Sequence, residues 1–239
     1  PADKLTEKGF TYSIVTTYQN AMNELLSGEY SVAILATCSE GYEGNKKNNS
    51  DYLEPFLIAM KKFYNKGGSL MLFGENPPFI FEVNLILERI GANIRFDENE
   101  KEEGGKVMYA SASNNDYVKA GCFQSSDYTF NATINGNKTE NLFSIGGGLK
   151  KLIEGKTLAV FKTTDGSKIE DSFRIFSRTS TGQPSCIYKV SKGREGALFI
   201  DNGASKLFNE YNEDGAARYI SNLTVASIQY SQFHEYFNN

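Results

Sequence analysis

Of the three cysteines, Cys38, Cys122 and Cys186, only Cys38 stands where a nucleophile could work. It follows the apolar run Val32-Ala33-Ile34-Leu35-Ala36-Thr37 and precedes Ser39-Glu40. A reactive thiolate needs a base, a cation or a helix N-terminus beside it. The sole histidine, His234, lies close to the C-terminal Asn239, in a region where packing commonly frays. Cys38 therefore reads as a partly buried structural thiol, with Ser39 beside it as a possible ligand contact.

Acidic chemistry has two candidates. Glu75-Asn76-Pro77-Pro78 follows Gly67-Gly68-Ser69-Leu70-Met71-Leu72-Phe73-Gly74, a helix stop, a buried strand and a sharp turn. A carboxylate at a strand end can act as a general base or hold a ligand, and the free N–H groups of a following helix can hold an anion. Asn76 also suits a helix cap, with the two prolines stiffening the helix start. Asp201-Asn202-Gly203 ends another apolar run, Ala197 to Ile200, where its side chains can reach the same rim or simply make a tight turn. Arg218 in the last helix suits an ion pair with Asp201 or Glu75. The residues read as lining one rim are Cys38, Ser39, Glu75, Asn76, Asp201, Asn202 and Arg218. None is assigned a catalytic role, although Glu75 and Asp201 would carry one if the protein were an enzyme.

Other patterns exclude more than they suggest. The acidic stretch Asp97-Glu98-Asn99-Glu100 lacks the spaced oxygens and central Gly of a calcium loop, and reads as a solvated loop. Gly146-Gly147-Gly148 leads into Leu-Lys-Lys, so it is neither a P-loop nor a dinucleotide fingerprint. One His and scattered Cys make a zinc site within the chain implausible. The expectation is no metal and no cofactor. A net charge of −4 argues against a dedicated nucleic-acid binder, and no apolar run approaches membrane length. Three widely spaced cysteines fit a reducing, cytoplasmic setting better than a disulfide framework. Sequons at Asn48, Asn131, Asn137 and Asn222 are near the number chance supplies in an Asn-rich chain. The chain opens at Pro1 with no signal-like start and reads as a module with neighbours.

The elements that would position these residues alternate. Tyr12 to Val15 reads as a short strand, Asn20 to Leu26 as a helix stopped by Gly28, and Tyr30 to Thr37 as a strand buried on both faces. A loop over Ser39 to Ser50 leads to a helix opening at Asp51, with Pro55 in its first turn and Gly67 as its stop. Strand Ser69–Phe73, a helix from Phe79 to Ile90 and strand Ala92 to Phe96 follow. Alternation at this spacing is the pattern of parallel βαβ units. Residues 106–145 are Ser-, Asn- and Tyr-rich and read as a β-rich insertion, with a short helix over Leu149 to Glu154 after it. Strands over Thr157–Phe161, Phe173–Ser177, Ser185–Val190 and Ala197–Ile200, a short helical piece from Ala204 to Phe208, and a helix from Gly215 to Tyr230 close the chain.

The run Tyr30 to Leu35, the helix Leu53–Tyr64, the Gly67-to-Asn76 stretch and the closing Gly196-Ala197-Leu198-Phe199-Ile200-Asp201-Asn202-Gly203 resemble the class I glutamine amidotransferase-like superfamily. The likeness is to its non-classical branch, of ThuA-like or related uncharacterised domains, and covers roughly residues 10–96 and 145–230. It implies a flavodoxin-like α/β fold. Two departures matter: no first strand precedes Phe10, and Glu75-Asn76 stands where classical members carry a nucleophilic Cys. The resulting expectation is a single α/β domain over 1–239, a mostly parallel sheet flanked by helices, with the insertion at 106–145. Its function would be non-catalytic binding of a protein partner or ligand within a larger protein or assembly, with no nucleic acid or membrane partner. The alternatives are a hydrolase or carbohydrate-acting enzyme using Glu75 near Asp201, and a sugar-binding domain.

Overall fold

The computed structural model describes residues 2–7, 9–36, 46–75, 79–102, 108–109, 128–134, 137–145, 158–179, 183–204 and 216–232. Strand β2 (Ser69–Phe73) is buried at every position. Its alternating side chains feed two cores. Leu70 and Leu72 face one core with Leu198 and Ile200, while Met71 and Phe73 face the other with Phe199.

Helices cover both faces. On the first lie α2 (Tyr18–Ser27), α3 (Lys46–Asn65) and α4 (Phe81–Arg89). The buried stripe of α3 is Phe56, Leu57, Met60, Phe63 and Tyr64, and α4 adds Val83, Ile86 and Leu87. On the second face lies α5 (Ala216–Gln232), through Ile220, Leu223 and Ala226. A short N-terminal helix, α1 (Ala2–Glu7), packs near α5.

The helix boundaries follow local chemistry. Thr17 caps α2 by accepting from the Asn20 N–H at 3.2 Å, and Gly28 ends it with φ 81°. Gly67 ends α3 with φ 99°; its N–H donates to Tyr64 O at 3.0 Å and that of Gly68 to Phe63 O at 3.0 Å. That pair of bonds satisfies two of the carbonyls a helix end would otherwise strand. The start of α3 differs from expectation. It begins at Lys46, within the expected loop, so Pro55 lies in the helix interior rather than its first turn. The interior proline forfeits one intrahelical bond, offset by the buried face it introduces.

Strand β1 (Val32–Ala36) runs parallel to β2, and β10 (Leu198–Asp201) runs parallel to β2 on its other side. Beyond β10 the sheet turns antiparallel, through β9 (Pro184–Lys189), β8 (Arg174–Thr179) and β4 (Met108–Tyr109). The six-stranded order is β1-β2-β10-β9-β8-β4. The protein is α/β, but the sheet is mixed rather than mostly parallel. Connection length explains the difference. Four residues join β8 to β9 and eight join β9 to β10, and a parallel crossover needs a dozen or more.

Three further expectations change. β1 is an edge strand, half-buried to exposed along its length, rather than buried on both faces. Tyr12 to Val15 enters no ladder, and Tyr12 and Ile14 are exposed. The acidic stretch after Phe96 is not a loop: it continues β3 (Arg95–Glu102), which pairs antiparallel with β7 (Leu158–Lys162) in a separate two-stranded sheet. There Phe96 stacks on Phe161 with centroids 5.0 Å apart, and Lys162 Nζ lies 3.3 Å from Asp97 Oδ2. Phe96 thus finds an apolar partner and Asp97 a basic one on the neighbouring strand. Strands β5 (Tyr128–Ile134) and β6 (Asn137–Ile145) form their own hairpin. The expected helix at Leu149–Glu154 lies outside the described residues, as does nearly all of the Ala204–Phe208 segment.

Candidate functional site

The carboxyl ends of parallel strands are where open α/β sheets place their ligands. Here that rim is the end of β2, Gly74-Glu75, beside the end of β10, Asp201 to Ala204. The two are stitched together by backbone. The Gly74 N–H donates to Asp201 O at 2.9 Å, and the Ala204 N–H donates to Gly74 O at 2.8 Å. The Glu75 N–H donates to Phe79 O at 3.1 Å, which folds the chain back before α4.

The side chains there are turned inward. Asp201 is 1% exposed, and its Oδ1 accepts the Gly203 N–H at 2.9 Å, a side-chain turn that sets the bend after β10. Asn202, also 1% exposed, donates from Nδ2 to Ala159 O at 2.8 Å and to Pro184 O at 3.4 Å, and its Oδ1 accepts from Ser185 Oγ at 2.9 Å. One amide thereby ties β7, β9 and β10 together. Gly74 sits under the Phe96 ring, and a Cβ there would overlap the ring carbons. The start of β3 therefore helps to roof the rim.

Among the residues expected at the rim, the fold brings Glu75, Asp201 and Asn202 together. Asp201 and Asn202 are committed to backbone and interstrand bonds, whereas Glu75 is half-buried at the turn. Cys38, Ser39 and Asn76 lie outside the described residues, as does His234. Arg218 falls within α5. Cys186, which the sequence did not single out, is fully buried on β9. No group of three or more His, Cys, Asp or Glu able to hold a metal occurs among the described residues.

Two arrangements were not foreseen. Tyr18, at the start of α2, donates its hydroxyl to Glu82 Oε1 on α4 at 3.0 Å and stacks on Phe56 at 5.0 Å. Burial, and then the Glu82 carboxylate, pushes the Tyr18 phenol well above its ordinary value. Only the contact between α2, α3 and α4 reveals this pair; spacing carries no trace of it. The second is a concavity of about 150 Å³ at the opposite end of the sheet, lined by Tyr64, Asn93, Ser172, Lys189 and Glu195 among others. Burial, and then Glu195, raises the Tyr64 phenol. Its volume is below the roughly 300 Å³ at which small-molecule sites begin, so it suits water or a small ion at most.

No helix among the described residues is long and apolar enough to cross a membrane. No family model matches the chain, and no curated protein matches it. Solved structures do. Cytoplasmic protein STM1381 from Salmonella typhimurium LT2 superposes with a TM-score of 0.50 at 9% identity, over 90% of this chain and 76% of that one. Cytoplasmic protein STM3548 from Salmonella typhimurium gives a TM-score of 0.45 at 9% identity, over 93% and 84%. An exo-β-1,4-mannosidase, Op5Man5 from Opitutaceae bacterium strain TAV5, gives 0.33 at 8% identity, over 72% of this chain and 23% of that one. At such identities the first of these is a likeness of fold alone.

Proposed function

We propose that this chain is a non-catalytic, amidotransferase-like α/β module that binds a protein partner or ligand within a larger protein or assembly. The observation that carries this reading is the occupation of the strand-end rim by the protein's own groups. Asp201 and Asn202 are spent on internal bonds, and the Phe96 ring lies against Gly74. A general base must reach the proton it removes, and a carboxylate 1% exposed, bonded to its own turn, cannot do so without unfolding that turn. The β-rich stretch over 106–145 is read as an insertion on this module. The pairing of β4 with the β8 edge and the separate β5–β6 hairpin support that reading. The odd number of cysteines, and the likeness of fold to STM1381, a cytoplasmic protein, support a cytoplasmic location.

A second reading, a hydrolase or carbohydrate-acting enzyme, rests on Glu75, which stands one residue beyond the Gly74–Asp201 backbone bond. The two readings separate in one assay. The wild type and Glu75→Gln are compared for glutaminase, esterase and glycosidase turnover with glutamine and chromogenic esters and glycosides. The non-catalytic reading expects the two proteins to be indistinguishable at the background rate. Turnover by the wild type that Glu75→Gln abolishes would overturn it.

A further inference from the structure

Asn202-Gly203 joins a sequence prone to self-modification to a fold that holds it shut. In an Asn-Gly pair the glycine nitrogen can attack the preceding side-chain amide, because no Cβ stands in its path. The Gly203 nitrogen gives its proton to hydroxide, a bond forms from that nitrogen to Asn202 Cγ, and the Cγ–Nδ2 bond breaks. Nδ2 takes a proton from water and leaves as ammonia, and a succinimide ring remains. Water then opens the ring at either carbonyl, which leaves aspartate or isoaspartate at position 202.

Each requirement of that attack is opposed in the folded chain. The Gly203 N–H donates to Asp201 Oδ1 at 2.9 Å, so loss of its proton would set an amide anion against a carboxylate in a buried place. The Asn202 amide is gripped at both ends, by Ala159 O at 2.8 Å and Ser185 Oγ at 2.9 Å. Rotating it onto Gly203 N gives up those bonds. The side chain is 1% exposed, which keeps hydroxide and water away.

The pair is also tied into the interior of the sheet. The Asn202 N–H donates to Ser185 O at 3.0 Å, and the Ala204 N–H to Gly74 O at 2.8 Å. β10 lies between β2 and β9. Freeing Asn202-Gly203 therefore parts β10 from strands on both sides, which is far more than the fraying of a loop.

We infer that Asn202-Gly203 is a latent site of covalent self-modification, closed by the folded sheet and opened only when β10 separates from β2 and β9. The product does not fit the place it came from. An aspartate there offers acceptors where Nδ2 donated to the Ala159 and Pro184 carbonyls. Isoaspartate adds a methylene to the main chain and displaces the Gly203 and Ala204 N–H groups from Asp201 and Gly74. A chain that stays unfolded is thereby marked and barred from returning.

The test incubates the full chain in buffer and at urea concentrations rising through its unfolding transition. Deamidation is read by mass spectrometry on the tryptic peptide 195–206. That peptide separates Asn202 from Asn135-Gly136, the other Asn-Gly pair of the sequence, which lies outside the described residues. The rate in buffer should be at least about a thousandfold below that of the unfolded chain, because the unfolded fraction of a stable domain is roughly 10⁻³ or less. It should rise with urea in step with that fraction. Ser185→Ala, which frees one end of the amide, should speed the native reaction roughly tenfold to a hundredfold and leave the rate in concentrated urea unchanged. After dilution from urea, the compact fraction should carry the unmodified peptide, and the modified one should stay with misfolded chains. A smaller ratio, or a rate indifferent to urea below the transition, would overturn the inference. So would a native rate that Ser185→Ala leaves unchanged, or modified and unmodified peptides that partition alike.

Discussion

Replacing Asn202 by alanine separates a structural amide from a ligand contact. The side chain is 1% exposed and makes two bonds of ordinary length, Nδ2 to Ala159 O at 2.8 Å and Oδ1 from Ser185 Oγ at 2.9 Å, with a weaker one to Pro184 O at 3.4 Å. Alanine removes all three and leaves the Ala159 carbonyl and the Ser185 hydroxyl buried. A neutral hydrogen bond contributes about 1 kcal/mol net, and a stranded buried group costs about 1–3 kcal/mol. Counting two good bonds and the groups they leave behind, the expected loss is about 3 kcal/mol. For a domain of this size that lowers Tm by about 6–12 °C. Urea unfolding followed by circular dichroism, together with calorimetry, measures it. Asn202→Asp should be worse at neutral pH, since it aims an acceptor at the Ala159 carbonyl. A change below about 0.5 kcal/mol, the range of an ordinary surface substitution, would refute the argument and return Asn202 to the candidate ligand contacts.

Three other outcomes are expected. Gly196→Ala drives a Cβ into the backbone carbonyl of Gly68; because the obstacle is backbone, the cost should be about 3 kcal/mol or more, and a wild-type urea midpoint would contradict it. Asp165, held by the Ser167 and Asn93 side chains and by the Ser167 N–H, has its carboxyl lowered to about 2. A depressed value means its stabilising effect is complete above the unfolded value of about 3.9 and is lost as pH falls from there toward 2. Carbon-detected NMR titration should find that low midpoint, and a midpoint near the ordinary value would be inconsistent with the turn. Cys186, fully buried on β9, should alkylate in step with global unfolding; mass spectrometry showing its rapid labelling in native protein would contradict that placement.

Much of the fold was legible wherever a local rule was sufficient. Helix stops at Gly28 and Gly67, the buried run Ser69–Phe73 and the last helix are written in periodicity and capping residues, which act within a few positions of themselves. The turn at Asp201-Asn202-Gly203 was legible in the same way. Pairing was not. Whether Val-Ala-Ile-Leu-Ala sits in the middle of a sheet or at its edge depends on what lies beside it, and an apolar run reads alike in both places. The stretch after Phe96 read as a solvated loop because the strand it pairs with, carrying Phe161 opposite Phe96 and Lys162 beside Asp97, comes from about 65 positions away.

By itself the sequence determined an α/β chain, a nucleophile-poor strand end after Phe73, and two acids, Glu75 and Asp201, each following an apolar run. Those follow from residue types and short-range spacing. Tertiary structure decided that the sheet is mixed, that β1 is its open edge, and that Asp201 and Asn202 are bonded within the rim rather than offered to a ligand. The physical reason is that a hydrogen-bonding side chain can serve the chain or a substrate with the same atoms. Only the positions of Ala159, Ser185 and Gly203 around it decide which.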